Sequence, residues 1–470
     1  MPPSRLQQSV IIVGANLVGL SAALCLSKHQ VPTMVLGKNA SISKHPHKIP
    51  EVAKDFSLMR ARVESMTGKW FESTSWSDTG KTGKKPEQEP SIPKKQYSPS
   101  LGAALPQDQL EAILQAAAIE RNVDIRRQHN VINVDQDHNG ITVTVIDSRG
   151  TEVQIRVSYL IAADGNRSMV RKLLQIRRNG RGHMQTMRNV LFPAPLEQYM
   201  QGVLVFHDDI EYDESTLRSA INQAIGRSDL PVDIITTVGT HLFLAGDAAH
   251  TLPPSRGGYG ANTGIHDADN LAWKLAAALS GKSSPELLHT YDAEGRPATL
   301  LRHDQIFARA DYKVRLAKAT PIGKKLDDDA MKFGQLYLSN GFIGVVDKLP
   351  RALKPDEWAG QPGTHVPHFW VDKAGETVSA LWMWWLAEWG DIIIHVKRKS
   401  LVPMKHISIG KDVRFADEGS FQEALGVSET GAVLLRPNGY IAWRTTNMPA
   451  DSARCLGEVL AQVAFLADSY

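Results

Sequence analysis

The chain has two cysteines in 470 residues, Cys25 and Cys455. Two thiols exclude a disulfide framework and a multi-cysteine metal site, and they fit a reducing compartment, the cytoplasm. No apolar run approaches the roughly 20 residues that a membrane span requires. Met1–Ser9 is too short and polar for a secretory signal. Net charge is low, +3, so neither nucleic acid nor an anionic membrane surface is an expected partner. His250, His266, His365 and His368 lack the paired spacing, backed by carboxylates, of a metal centre, and no metal is expected. There is no internal repeat. What remains is a hydrophobic fraction of 42%, which is globular, and a length that calls for two or three domains.

Three segments each combine an apolar strand with a glycine turn. The first is Val10–Val13, followed by Gly14-Ala15-Asn16-Leu17-Val18-Gly19, a helix of small and apolar residues, and a second strand, Pro32–Leu36. This is one βαβ unit with a glycine turn at its first crossover. Asn16 stands where a dinucleotide fingerprint has its second glycine. Gly37, with Lys38 after it, stands where the acidic ribose partner is expected. Cys25 falls mid-helix among apolar residues and reads as core packing.

The second segment, Tyr159–Ala163, ends in Asp164-Gly165, with Ser168 placed to cap a helix carrying Val170, Leu173 and Leu174. Alone, Asp164-Gly165 reads as a β-turn. The third is Leu242–Ala245 running into Gly246-Asp247, then a loop with Pro253, Pro254, Gly257, Gly258, Gly260 and Gly264, then a helix with Leu271, Leu275 and Leu279 on one face. Asp247 is placed to accept a hydrogen bond from a ribityl or ribose hydroxyl. The glycines clear side chains from the loop, and the helix start offers N–H groups and a favourable dipole to a phosphate.

In this order the segments resemble the flavoprotein aromatic hydroxylases of the para-hydroxybenzoate hydroxylase fold. The matching residues are Gly14 and Gly19; Asp164, Gly165, Ser168 and Arg171; and Gly246, Asp247, His250, Pro253, Pro254, Gly257, Gly260 and Asn262. The stretch Tyr97-Ser98-Pro99 and Leu105–Glu111 is similar to the family helix whose Gln or Arg touches the flavin, a place taken by Gln107. The segments Gln361–His368 and Gly431–Arg444 resemble the phenol hydroxylase subgroup, which adds a thioredoxin-like domain.

The resemblance implies an α/β fold: a Rossmann-like FAD-binding domain, an interleaved and here shortened β-sheet substrate domain, and a C-terminal thioredoxin-like domain. The expected division is 1–175 (with an inserted hairpin over 70–100), 176–237 for the shortened substrate domain, 238–350 for the rest of the FAD domain, and 351–470. It implies FAD as cofactor, NADPH as co-substrate, and transfer of one atom of O2 to an aromatic or polyketide-like small molecule. FAD contacts are expected from Gly14, Asn16, Gly19, Gly37, Lys38, Gln107, Asp164, Asp247, Pro254, Gly257, Gly260, Ala261 and Asn262. No catalytic residue is assigned; a phenol-polarising group is looked for in Gln185–His207. A homodimer through the last domain is a family expectation.

The departures from the family are Asn16, Gly37, His47 in place of an Arg near the flavin, and shortening over Ile49–Arg60 and between Asp164 and Asp247. A sheet that loses strands exposes edges. The departures leave three outcomes open beside hydroxylation: another flavin reaction on the same frame, a non-catalytic descendant that holds FAD weakly, or exons absent from the sequence.

Elsewhere, Asp78–Lys95 reads as a solvated hairpin or loop. Gln107–Arg121, Glu286–Ala310 and Lys313–Lys318 read as helices. Val131–Asp135, Ile141–Asp147 and Val153–Val157 read as a meander with turns at Asn139-Gly140 and Arg149-Gly150. Trp382, Trp384, Trp385 and Trp389 read as packing rather than a ligand cage, and Pro437-Asn438-Gly439 as a hairpin turn.

Overall fold

The computed structural model describes residues 9–42, 59–63, 70–75, 96–100, 105, 107–177, 204–205, 237–238, 241–252, 258–308, 324–346, 348–379, 407, 412–415 and 418–466. Pro254, Gly257, His47, the four tryptophans from Trp382 to Trp389, Lys313–Lys318 and nearly all of 178–236 lie outside them.

The chain opens with strand β1 (Val10–Val13), helix α1 (Leu17–Lys28) and strand β2 (Thr33–Gly37). Short antiparallel strands β3 (Met59–Val63) and β4 (Trp70–Ser75) follow. Next come α2 (Gln107–Glu120), β5 (Asp124–Arg127), the meander β6 (Asn130–Asp137), β7 (Gly140–Ile146) and β8 (Glu152–Val157), then β9 (Tyr159–Ala162) and α3 (Met169–Leu173). β10 (Leu204–Val205) pairs with β3, so the 176–237 segment shares a sheet with residues from the first part of the chain. β11 (Thr237–Val238) and β12 (Leu242–Leu244) lead to the long helix α4 (Tyr259–Leu279). A 3-10 turn, Pro285–His289, precedes helix α5 (Thr290–Phe307), so the expected single helix from Glu286 is split at its start.

The main sheet has the order β11-β12-β9-β1-β2-β5. Its β12, β9, β1, β2 and β5 run parallel. Strand side chains alternate between faces. Val10 and Ile12 meet α1 and α4 on one side, together with Leu26, Leu271, Leu275 and Tyr291. Ile11 and Val13 meet the β6–β8 meander on the other, through Val131, Ile141, Val143 and Val145. The sheet is therefore covered on both faces, as continuous apolar strands require. Cys25 packs at the edge of the helical layer, and burial pushes its thiol up to about 12.

The C-terminal part begins with α6 (Asp328–Phe333), then β13 (Trp370–Lys373), β14 (Glu376–Ser379), β15 (Arg414–Phe415), α7 (Glu418–Leu425), β16 (Ala432–Leu435), β17 (Ile441–Thr445) and α8 (Ser452–Val463). The β16–β17 hairpin turns through Gly439 at φ 79°, as its Pro-Asn-Gly chemistry predicts.

A buried ionic cluster joins this part to α4 and α5. Glu294 accepts from Lys274 Nζ at 2.6 Å, Arg436 Nη1 at 2.7 Å and Ser339 Oγ at 2.7 Å. The Arg436 guanidinium also lies 3.8 Å from the centroid of Phe342. Beside it, Tyr337 and Tyr440 stack with centroids 4.3 Å apart.

Candidate functional site

Pairing register brings the three motif turns together. Val13 lies opposite Leu36 on one side and Ala162 on the other, and Ala162 lies opposite Leu244. The chain therefore leaves β1, β9 and β12 at one level, at the carboxyl ends of adjacent parallel strands. β1 has β2 on one side and β9 on the other, so connections diverge there. Open α/β sheets hold their ligands at such a switch point.

The turns also touch. A Cβ on Gly14, whose φ is +121°, would lie 2.3 Å from the Ala163 carbonyl oxygen; one on Gly19 would lie 1.8 Å from the Gly14 oxygen. Both glycines are needed for close backbone approach. Val18 fills the space that a side chain on Gly246 or Gly264 would need, with Cβ-to-Cγ2 separations of 2.8 and 2.4 Å. The Arg171 guanidinium, buried, donates to Ala248 O at 2.6 Å and to Asn166 O at 2.5 Å, tying the second turn to the third.

Asn16 is the N-cap of α1. Its Oδ1 accepts from the Val18 and Gly19 N–H groups at 3.1 and 3.2 Å, while its Nδ2 donates to Ala163 O at 2.6 Å. Gln107, exposed at the start of α2, donates from Nε2 to Glu111 Oε1 at 2.7 Å, and that same oxygen accepts the Leu17 N–H at 3.0 Å. The buried Glu111 thereby pins α2 to the start of α1. The sequence marks it only by its place one turn after Gln107. Gly37 is buried at the end of β2, and Lys38 is exposed just beyond it.

Asp164 uses one oxygen to cap α3: Oδ2 accepts from Met169 N at 2.7 Å and Val170 N at 3.1 Å, beside the Ser168 hydroxyl, which accepts from Arg171 N at 3.0 Å. Its other oxygen, Oδ1, is buried with no partner among the described residues. A buried acceptor without a donor calls for one from outside.

Asp247 is exposed within the third turn. Crowding by protein atoms raises its carboxyl above the usual value, and His250 partly offsets that. Beneath it, buried Asp267 Oδ2 accepts from Gly246 N at 2.9 Å and lies 2.7 Å from His250 Nε2. Burial opposes charge on both groups. Their mutual attraction wins, holding His250 above and Asp267 below its ordinary value, which favours the charged form of each.

Gly258, with φ 66°, is the N-cap of α4. Gly260 follows with open space where a Cβ would point, then the exposed Ala261 and Asn262; Asn262 Nδ2 donates to Gly258 O at 2.8 Å. Among the described residues, no group of three His, Cys, Asp or Glu is placed to hold a metal ion, and no helix is long and apolar enough to cross a membrane.

The profile of the FAD binding domain family matches residues 7–224 and 237–301, and that of the aromatic-ring hydroxylase C-terminal family matches 359–464. The tetracenomycin A2 monooxygenase-dioxygenase of Streptomyces glaucescens is 30% identical, over 97% of this chain and 96% of its own. That match runs over 547 aligned residues, 77 more than the 470 of this chain, so the relative carries stretches that this chain lacks. The 4-methyl-5-nitrocatechol 5-monooxygenase of a Burkholderia species is 28% identical, over 98% of each chain. The crystal structure of aklavinone-11 hydroxylase with FAD and aklavinone superposes with a TM-score of 0.77 at 25% identity, covering 98% of this chain and 99% of that one.

Proposed function

This chain belongs to the FAD-binding aromatic-ring hydroxylase family, and from that premise we propose that it is an FAD-dependent monooxygenase acting on an aromatic or polyketide-like small molecule with NADPH and O2. The observation that carries the reading is the junction of Gly14, Asp164 and Asp247 at three neighbouring strand ends. The residues fit the flavin half of FAD. Among the described residues, Asp164 Oδ1 has no donor, Asp247 is exposed, and nothing lies within 4 Å of where a Gly260 Cβ would point.

In this reading Asp164 and Asp247 accept hydrogen bonds from cofactor hydroxyls. Gly260, Ala261 and Asn262 present the α4 N-terminus to the flavin ring; Pro254 and Gly257, the other expected contacts of this loop, lie outside the described residues. The His250–Asp267 pair holds the Gly246 N–H and so fixes where Asp247 points. Arg171 keeps the second and third turns at a constant separation. Gly14 and Gly19 let α1 approach, and Gln107 with Glu111 braces it. FAD supplies the redox chemistry with oxygen when bound; the protein orients it and excludes water. The helical layer and the meander supply that exclusion below the sheet ends. No residue is assigned as substrate base.

Supporting lines for the substrate class are the polyketide and phenol hydroxylases among the relatives. The test is a panel of polycyclic and monocyclic phenols. Consumption of NADPH that rises with substrate, with one labelled oxygen from 18O2 in the product, supports the proposal. Consumption that yields only hydrogen peroxide across the panel contradicts it. We also place the protein in the cytoplasm as a homodimer through its C-terminal part, which light scattering of the purified chain tests.

A further inference from the structure

We propose that Asn16 is an affinity-determining residue that loosens the hold of this site on the ADP half of FAD, so that the cofactor is retained through its flavin half and exchanges readily. The inference rests on the flavoprotein reading above and concerns the part of the cofactor that the three turns do not explain.

In a Rossmann unit the pyrophosphate draws on free N–H groups at the start of the first helix. Here each amide of that first turn already has a partner inside the chain. Leu17 N donates to Glu111 Oε1 at 3.0 Å, Val18 N and Gly19 N donate to Asn16 Oδ1 at 3.1 and 3.2 Å, and Leu20 N donates to Asn16 O at 2.8 Å. Asn16 is anchored at its other end by the 2.6 Å bond from Nδ2 to Ala163 O. Its backbone, at φ −118° and ψ −173°, is ordinary extended chain. The position therefore does not demand glycine for conformation, and asparagine imposes no strain there. What it changes is occupancy. The side-chain amide sits where the fingerprint glycine would leave room for a phosphate oxygen, and it holds the donors that oxygen would use.

A second observation points the same way. The fingerprint acid that binds the adenosine ribose is replaced by Gly37. A Cβ there would lie 2.8 Å from Ala15 Cβ, and the Arg127 Nη1 donor would be 3.7 Å away. The ribose end thus presents a guanidinium donor where an acceptor carboxylate is expected. The two halves of the site differ: the described part of the flavin end keeps its two carboxylates, and the first-turn amides at the other end are satisfied by the chain's own groups.

The experiment is titration of the purified full chain with FAD and, separately, riboflavin, read by quenching of flavin fluorescence. It compares the parent with Asn16→Gly and Asn16→Asp. Freeing two amides predicts FAD binding at least about tenfold tighter in Asn16→Gly, with riboflavin affinity unchanged within about twofold. Asn16→Asp keeps the cap but sets a carboxylate against the pyrophosphate, and predicts FAD binding at least about tenfold weaker than the parent. In ligand-free Asn16→Gly, amide exchange at Val18 and Gly19 quickens relative to the parent. Circular dichroism identical to the parent establishes that the variants fold.

Equal or weaker FAD binding by Asn16→Gly, while riboflavin still binds all three proteins, overturns the role of Asn16 and leaves the flavoprotein reading standing. Failure of every protein to bind either flavin overturns the flavoprotein reading, and this inference with it.

Discussion

Replacing Glu294 by glutamine tests the buried cluster that joins the C-terminal part to the sheet domain. The carboxylate is fully buried and neutralises two cations, Lys274 and Arg436, at 2.6 and 2.7 Å. Burial alone would raise its pKa, but the two cations and their hydrogen bonds hold it at about 2, against an ordinary 4.5. At about 1.4 kcal/mol per unit, that difference corresponds to about 3 kcal/mol. Breaking a buried pair by removing one partner costs a similar amount, about 3–5 kcal/mol, because the orphaned charge stays buried. The Lys274 pKa also falls, to about 8 from 10.5, but there the shift disfavours the charge, because burial and the neighbouring Arg436 outweigh its single carboxylate.

The signs set the pH dependence. Glu294 titrates lower in the folded chain, so its stabilisation is present above pH 4.5 and is lost as pH falls toward 2. Lys274 also titrates lower when folded, so stability rises between pH 8 and 10.5, where the unfolded chain binds the extra proton. In Glu294→Gln the lysine loses its counter-ion and sheds its proton more easily still. Urea unfolding at pH 7 should then show a loss of about 3 kcal/mol, and the deficit should narrow at pH 9. Adding Lys274→Met should restore part of it. A loss below about 1 kcal/mol at pH 7, or a deficit that does not change by pH 9, refutes the reasoning.

Other outcomes follow from the same geometry. Gly14→Ala must adopt φ +121° with its Cβ 2.3 Å from the Ala163 oxygen, and should cost at least about 2 kcal/mol in a thermal melt. Asp267→Asn takes the charged acceptor from the Gly246 N–H and from His250. Flavin affinity should fall about tenfold, and the His250 resonance should titrate at lower pH than in the parent. With the pair intact, His250 has a raised folded pKa. Its contribution is full below the unfolded value of 6.5 and is lost as pH rises through the folded value; a melt series from pH 6 upward should show that decline, and Asp267→Asn should flatten it.

The parts of the fold legible in the sequence were those where one strong local signal acts. β1, β9 and β12 are apolar runs that close on glycine turns, and the meander announces itself by β-branched alternation with Asn139-Gly140 and Arg149-Gly150. β5 gave no such signal. Asp124-Ile125-Arg126-Arg127 is mostly charged, and as the edge strand beside β2 it needs only its backbone pairing and the half-buried Ile125. Asn16 was legible as a departure from a fingerprint, but its capping bonds depend on the Ala163 carbonyl, 147 positions away. Asp267 and Glu294 carry no motif, and Arg436 lies in the Gly431–Arg444 segment with nothing local to mark it as an ion-pair partner. Asp267 and Glu294 sit among other polar and charged residues that do not single them out, and the Glu294–Arg436 contact spans 142 positions. Such partners become visible only once the helices are packed.

Flavin titration of the purified chain beside an Asp164→Ala/Asp247→Ala double variant bears most directly on the claim that three separated turns grip one prosthetic group. The parent should bind one FAD per chain at saturation, and the double variant, stripped of both acceptors, should bind at least about a hundredfold more weakly. A parent that stays colourless in excess flavin, or a double variant that binds as the parent does, contradicts it.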